Sequence, residues 1–302
     1  MSDLAEIRDV ISRFWRLRIA AAGDLTLCRT LHVAADGVIE KTEDAVGGIG
    51  LALAALHDLT VQLRAAVTVV GDDGVWFDLK ERFAELTFSS DYLQSDRRWT
   101  TPVDYEIVES GSTRRWRLRH VGELDESLML PLQMQLRAAC RQHDGLILVD
   151  RDSPLQRGVV DPEIRRVTRH IAEQESRKRL IVWSDAPLGE YGGCWRYFEP
   201  QDLPEGWSKL DFDTISTDAT THGETYFLRT AAGLIVAAPN SAAMELRATV
   251  EPQFSSWAVL GAIAAAGIAG ADPPISGAIG AAAAALKPPV TAGAIAAALK
   301  NS

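Results

Sequence analysis

The chain has 302 residues, 47% of them hydrophobic, and a formal charge of −10. That length can bury a sizeable core and hold two or three compact units, while the acidic balance excludes a broad nucleic-acid surface, which needs clustered Lys and Arg. Cys28, Cys140 and Cys194 have no CxxC spacing, which excludes a metal finger, and the amino terminus lacks a basic, apolar leader, so the cytoplasm is the expected location.

Residues 3 to about 22 carry Leu4, Ile7, Val10, Ile11, Phe14, Trp15 and Leu17 at three-and-four spacing, which predicts an amphipathic helix. Leu25 to Glu40 alternates in short runs around the turn signal Ala35-Asp36-Gly37. Gly47-Gly48-Ile49-Gly50 lacks both the Lys-Ser or Lys-Thr of a phosphate loop and the spaced glycines of a dinucleotide fold. It reads as a flexible lead-in to a helix from about Leu51 to Leu59.

From Thr60 to Val121 the pattern predicts strands. Gly71-Asp72-Asp73-Gly74 should turn the chain into a strand through Val75, Trp76, Phe77 and Leu79, and Glu109-Ser110-Gly111-Ser112 is a hairpin signal. The short spacing favours antiparallel pairing. Trp76, Trp99 and Trp116 are expected in core or interface packing, and His57 and His120 lack the neighbours a metal site needs.

A helix from about Leu128 to His143 leads into a strand at Leu146 to Val149, a charged turn, a helix starting at Pro162 and a second strand at Leu180 to Trp183. This is one β-α-β unit. The Gly-, Pro- and aromatic-rich connection from Asp185 to Trp207 should be an ordered cover over a pocket or interface. Tyr226 to Arg229 and Leu234 to Ala237 form a hairpin.

The last sixty residues contain Gly261-Ala262-Ile263, Gly277-Ala278-Ile279 and Gly293-Ala294-Ile295, sixteen residues apart and punctuated by Pro273-Pro274 and Pro288-Pro289. Three short helices follow, with Ser276 and Thr291 as caps. Alanine brings little area to bury and glycine costs about 1 kcal/mol in a helix interior, so these helices should dock on one another, the body or a second subunit. The expected fold is therefore α+β or α/β: a mixed body with an antiparallel strand-rich part, a central β-α-β unit and an Ala/Gly-rich helical appendage. Its divisions fall at 1–59, 60–125, 126–240 and 241–302.

One constellation carries chemistry. Asp150 and Asp152 occupy alternate positions at a strand end, where two carboxylates can meet one metal-bound phosphate. With Ile181-Val182-Trp183-Ser184, the segment Leu146 to Leu155 resembles the first two motifs of the haloacid-dehalogenase-like phosphatases. The resemblance implies Asp150 as nucleophile, Asp152 as acid/base, Ser184 holding the phosphoryl group and Lys209 balancing its charge. It also implies Mg2+ held by Asp150, Asp152, Asp211 and Asp213. Ser153-Pro154 stands where that family has Gly-Thr. Gly192-Gly193-Cys194 with the distant His222 suggests a cysteine hydrolase.

No complete site emerges. The first expectation is a protein with no cofactor that works by interaction or assembly, as a homo-oligomer or with a protein partner, through its C-terminal small-residue helices. Mg-dependent phosphohydrolysis at Asp150 and Asp152 is the second. A membrane-associated or pore-forming assembly of the same helices is the third, although the run Trp257 to Ala271 is shorter than the roughly 20 residues a span needs.

Overall fold

The computed structural model describes residues 4–109, 112–119, 124–151, 158–174, 179–204, 206–207, 210–251 and 254–300. Helix α1 (Leu4–Ser12) buries Ile7, Val10 and Ile11, but it ends well before the expected limit. After a 3-10 turn at Phe14–Arg16 the backbone extends, and Arg18–Gly23 forms β1. Ile19, Ala20, Ala21 and Ala22 are all buried, because β1 lies inside a sheet covered on both faces. Such a strand is apolar throughout, without the alternation that marks a half-buried one.

Strands β2 (Leu25–Val33) and β3 (Ile39–Gly48) form an antiparallel pair, and α2 (Ile49–Asp58) follows at once. β4 (Leu63–Gly71) then pairs parallel with β1. Residues beyond Gly74 are helical, in α3 (Gly74–Glu85), where a strand was expected. The Asp73 carboxylate accepts from Trp76 N at 3.0 Å, so the apparent turn is a helix cap, and Trp76, Leu79 and Phe83 recur at helical spacing. β5 (Ser89–Asp96) is parallel to β4, and β6 (Val103–Glu109) and β7 (Ser112–Leu118) form the expected hairpin.

Helix α4 (Glu126–Gln142) leads into β8 (Gly145–Asp150), α5 (Pro162–Gln174) and β9 (Arg179–Ser184), the β-α-β unit legible in the sequence. β10 (Trp195–Phe198), α6 (Phe212–His222), β11 (Thr225–Thr230), β12 (Gly233–Ala237) and β13 (Met244–Arg247) come next, then α7 (Ser256–Ile268), α8 (Pro273–Ala284) and α9 (Ala292–Ala298).

The main sheet has nine strands in the order β13-β12-β11-β10-β9-β8-β1-β4-β5. Pairing is parallel from β5 to β11 and antiparallel only at β12 and β13. Residues 60–125 are thus no antiparallel unit. β4 and β5 belong to the main sheet, while the β6–β7 hairpin leaves it, and the divisions at 59, 125 and 240 cut through this one sheet.

The β2–β3 and β6–β7 hairpins join through parallel pairing of β2 with β6 into a separate four-stranded sheet, β3-β2-β6-β7. Helices α1, α2, α3, α7, α8 and α9 contribute to the core on one face of the main sheet; α4, α5 and α6 cover the other. The fold is a mixed α/β architecture with a central sheet flanked by helices.

The three C-terminal helices form as expected, with Thr291 capping α9. Asp272 caps α8, whereas Ser276 is buried within it. These helices are a layer of the body. A Cβ on Gly267 would come within 2.2 Å of the Trp195 ring, and one on Gly280 within 2.6 Å of Ile263. Small residues are required because α7 and α8 lie directly on the sheet and on each other.

Candidate active site

Asp150 ends β8 and is 4% exposed. Arg165 on α5 donates to it through Nε at 2.8 Å and Nη2 at 3.3 Å, Ser184 Oγ donates at 3.0 Å, and the Tyr191 hydroxyl donates at 2.5 Å. Asp150 and Ser184 therefore meet, as the sequence implied, but a guanidinium and two hydroxyls fill the carboxylate's acceptor positions. The group is a buried pin joining β8, β9, α5 and the segment before β10.

Asp211 and Asp213 do not join them, serving the start of α6 instead. Asp152 and Lys209 lie outside the described residues. Asp211 caps α6 through Thr214, whose hydroxyl and amide hold its carboxyl below the usual range, and Asp213 is exposed in the same first turn. Among the described residues no group of three or more His, Cys, Asp or Glu is arranged to hold a metal ion. Cys194 is buried, which pushes its thiol well up, and it is no activated nucleophile.

The sheet topology directs attention elsewhere. From β1 the chain passes over one face through α2 to β4 and on to β5; it then returns through α4 on the other face to β8, the second neighbour of β1. In doubly wound sheets, ligands bind in the crevice beyond the carboxyl ends of strands at this reversal. A cavity of about 280 Å3 lies there.

Its floor carries Asp24, just past β1, with Val149 and Arg151 at the end of β8. Its roof is the small sheet: Thr26 and Cys28 from β2, Asp104 from β6, and Arg117 and Arg119 from β7 and just beyond. Cys28, Asp104 and Arg117 are neighbours in register across β2, β6 and β7, which brings them to one face of this lid. The lid meets the body at Gly48, whose φ of 55° is open to few other residues. Trp183 and Trp257, 4.7 Å apart between ring centroids, close the far end.

Electrostatically the cleft is mixed. Asp24 accepts from Val159 N at 2.9 Å. Arg151 pairs with Asp202 through two bonds of 2.5 and 2.9 Å and lies 4.4 Å over the Trp183 ring. Arg119 reaches Asp104 at 2.7 Å, and burial together with Asp104 pushes the Cys28 thiol up to about 11. The sequence reading missed these residues. The available signal was the glycine pair straight after a hairpin and straight before a helix, a place where backbone approaches something closely.

No protein-family model matches the sequence, and no curated protein does. The fold, however, is that of the ribokinase-like sugar and nucleoside kinases. Arabidopsis thaliana ribokinase, solved with ribose and ATP, superposes with a TM-score of 0.70 over 95% of this chain and 99% of its own, at 13% identity. Phosphofructokinase-2 from Escherichia coli with fructose-6-phosphate gives 0.69 over 94% and 99%, at 16% identity. Ribokinase from Thermotoga maritima gives 0.66 over 94% and 100%, at 17%.

These likenesses correct the functional expectations. The C-terminal helices that suggested an assembly protein are a structural layer of a kinase-type fold, and the chain has the topology of that fold instead of a haloacid-dehalogenase-like phosphatase. The same packing corrects the pore-forming alternative, since α7 and α8 are buried against the sheet; among the described residues no helix is long and apolar enough to cross a membrane. The expectation of no cofactor is overturned by the same match, since the Arabidopsis protein shares this architecture and was solved with ATP.

Proposed function

We propose that the protein is an ATP-dependent phosphotransferase acting on a small polyhydroxylated acceptor. The observation that carries this is the lid-covered cleft between the ends of β1 and β8, in which Asp24 from the floor faces Asp104 and two arginines from the roof. Phosphoryl transfer asks a protein mainly to position its reactants and balance their charge. Asp24 accepts hydroxyls of the acceptor and takes the proton of the reacting one; the lid excludes water.

The residues present also suit a nucleotide phosphate. Helix α7 is thirteen residues long and starts beside the cleft, with Trp257 of its first turn lining it. First-turn amides hold phosphate oxygens well, and those of Ser256 and Trp257 would do so here, Ser255 Oγ already accepting from Ala258 N. Magnesium is commonly shared between phosphates and one or two carboxylates; the described lining offers Asp24 and Asp104, of which Asp104 is already taken up by Arg119 and Arg117. ATP supplies the phosphoryl group.

The test is ADP release from ATP and magnesium across a panel of pentoses, hexoses, nucleosides and their phosphates. Asp24→Asn, shown by circular dichroism to be folded, should lower the rate roughly 10²–10⁴-fold. An unchanged rate removes Asp24 from the chemistry. A second reading, ligand binding without transfer, is favoured by the Trp183–Trp257 pair, whose bulk fills the crevice beyond β9. Ligand binding with no ADP release for any acceptor would establish it.

A further inference from the structure

The geometry points to an acceptor that carries an anionic group, a phosphate or a carboxylate, received by Arg117. This inference rests on the cleft assigned above and names the class of molecule it takes. The lid's β6–β7 pair is a ladder of opposite charges. Arg114 reaches Glu109 at 2.8 Å and Arg115 reaches Glu106 at 3.0 Å, one carboxylate for each guanidinium. At the end facing the cleft the matching changes. Asp104 serves two arginines, with Arg119 at 2.7 Å and Arg117 at 3.8 Å, the latter beyond hydrogen-bond distance.

Among the described residues the remaining lining acid, Asp24, belongs to the floor and accepts from Val159 N at 2.9 Å. On β2, Arg29 is met by both Asp44 and Asp78, so that part of the lid has acid to spare. Arg151 on the floor is taken up by Asp202. Among the described residues Arg117 is thus the lining guanidinium held least closely by acids, its side chain 71% exposed. Guanidinium favours phosphate and carboxylate through two parallel N–H donors. The opposite end offers the Trp183 and Trp257 rings, suited to the C–H face of a sugar. A cavity of about 280 Å3 lies just below the usual range of ligand sites, roughly 300–1,000 Å3, so one charged group and one ring make a reasonable complement.

Trp183 and Trp257 supply a native reporter. Quenching of tryptophan fluorescence in the full chain, without ATP, is titrated with ribose, glucose and fructose, their terminal phosphates, and the corresponding sugar acids. At least one anionic member should bind tenfold or more tighter than its neutral parent, and the phosphate and acid arms identify the group. Arg117→Gln should abolish that preference and flatten its salt dependence while changing neutral-sugar binding less than twofold. Arg115→Gln, whose arginine is matched by Glu106, should leave both unchanged. Equal affinity for neutral and anionic members, equal losses for both in Arg117→Gln, or no member bound at millimolar concentration overturns the inference. Because ATP is absent, the outcomes separate: ADP release with a neutral sugar and no anion preference removes only this inference, whereas anion binding without ADP release removes only the phosphotransferase.

Discussion

Gly48 sits against the main chain of Asp24: a Cβ on Gly48 would come within 2.1 Å of the Asp24 carbonyl oxygen, which accepts from Ile49 N at 2.9 Å. The end of the lid's hairpin is thereby locked to the end of β1, and the width of the cleft depends on that contact. Gly48→Ala adds both a clash and a φ of 55° with ψ of −133° that alanine avoids. We expect a loss of about 1–3 kcal/mol or more in urea unfolding, together with weakened ligand quenching. An unaltered midpoint would show that the junction tolerates a side chain.

Asp150 separates a structural pin from a nucleophile. Removing one partner of a buried ion pair costs about 3–5 kcal/mol, and Asp150→Asn should approach that loss because Arg165 stays buried beside it. Tyr191→Phe, which deletes one hydrogen bond, should cost about 1–2 kcal/mol. Denaturant titration of both variants measures the difference. Asp150→Asn with wild-type stability would refute the role given to this group.

Alkaline pH should unfold the protein early. Burial and a neighbouring carboxylate raise Tyr191 and Tyr197 well above the ordinary phenol value, and burial raises Tyr226. Their folded values exceed their unfolded ones, so the stability they contribute is intact below pH 10 and falls as pH rises from there toward the folded values. Each group that titrates only in the unfolded chain adds a slope of up to about 1.4 kcal/mol per pH unit. Thermal melts at pH 8 and 10.5 should diverge, and Tyr197→Phe should reduce the divergence. A flat profile would contradict it.

The C-terminal helices give a contrast with the assembly expectation. A chain ending near Pro239 would lose β13, α7, α8 and α9 and would uncover Trp195, Leu234 and Val236. It should be insoluble or bind hydrophobic dye, and should not behave as a well-folded monomer. Gly267→Val in the full chain should cost about 1–3 kcal/mol through overpacking on Trp195. Sharp, cooperative unfolding of the truncated chain would overturn this account.

Local signals carried much of the fold. The apolar runs at Leu146 and Leu180, with the stripe Ile164, Val167 and Ile171 between them, specify a β-α-β unit whichever sheet they join. The proline-punctuated glycine and alanine copies specify three helices. What they pack on is a long-range matter. Small residues suit a second subunit and a sheet face equally, and only the nearness of Trp195 decides between them. Ile19 to Ala22 continues a helical period and enters a strand because β4 and β8 flank it. Asp73 reads as a turn residue until Trp76 N is seen to point at it. The cleft was least legible, since Asp24, Asp104, Arg117 and Trp257 are scattered along the sequence and share no spacing. Asp150 was legible as a strand-end acid, but Arg165, which neutralises it, lies 15 positions further on along a helix and has no local signal that ties the two together.

The position of β1 between β4 and β8 has a consequence for how the chain is made. Arg18, where β1 starts, meets Asp144 across 126 positions of sequence. At translation rates of about 5–20 residues per second, roughly 6–25 s separate synthesis of the two partners. During that time β1, paired on its other side with β4, presents an unsatisfied apolar edge. Chaperone demand and aggregation in the cell should therefore follow the speed of elongation up to β8, even for synonymous changes that leave every residue the same.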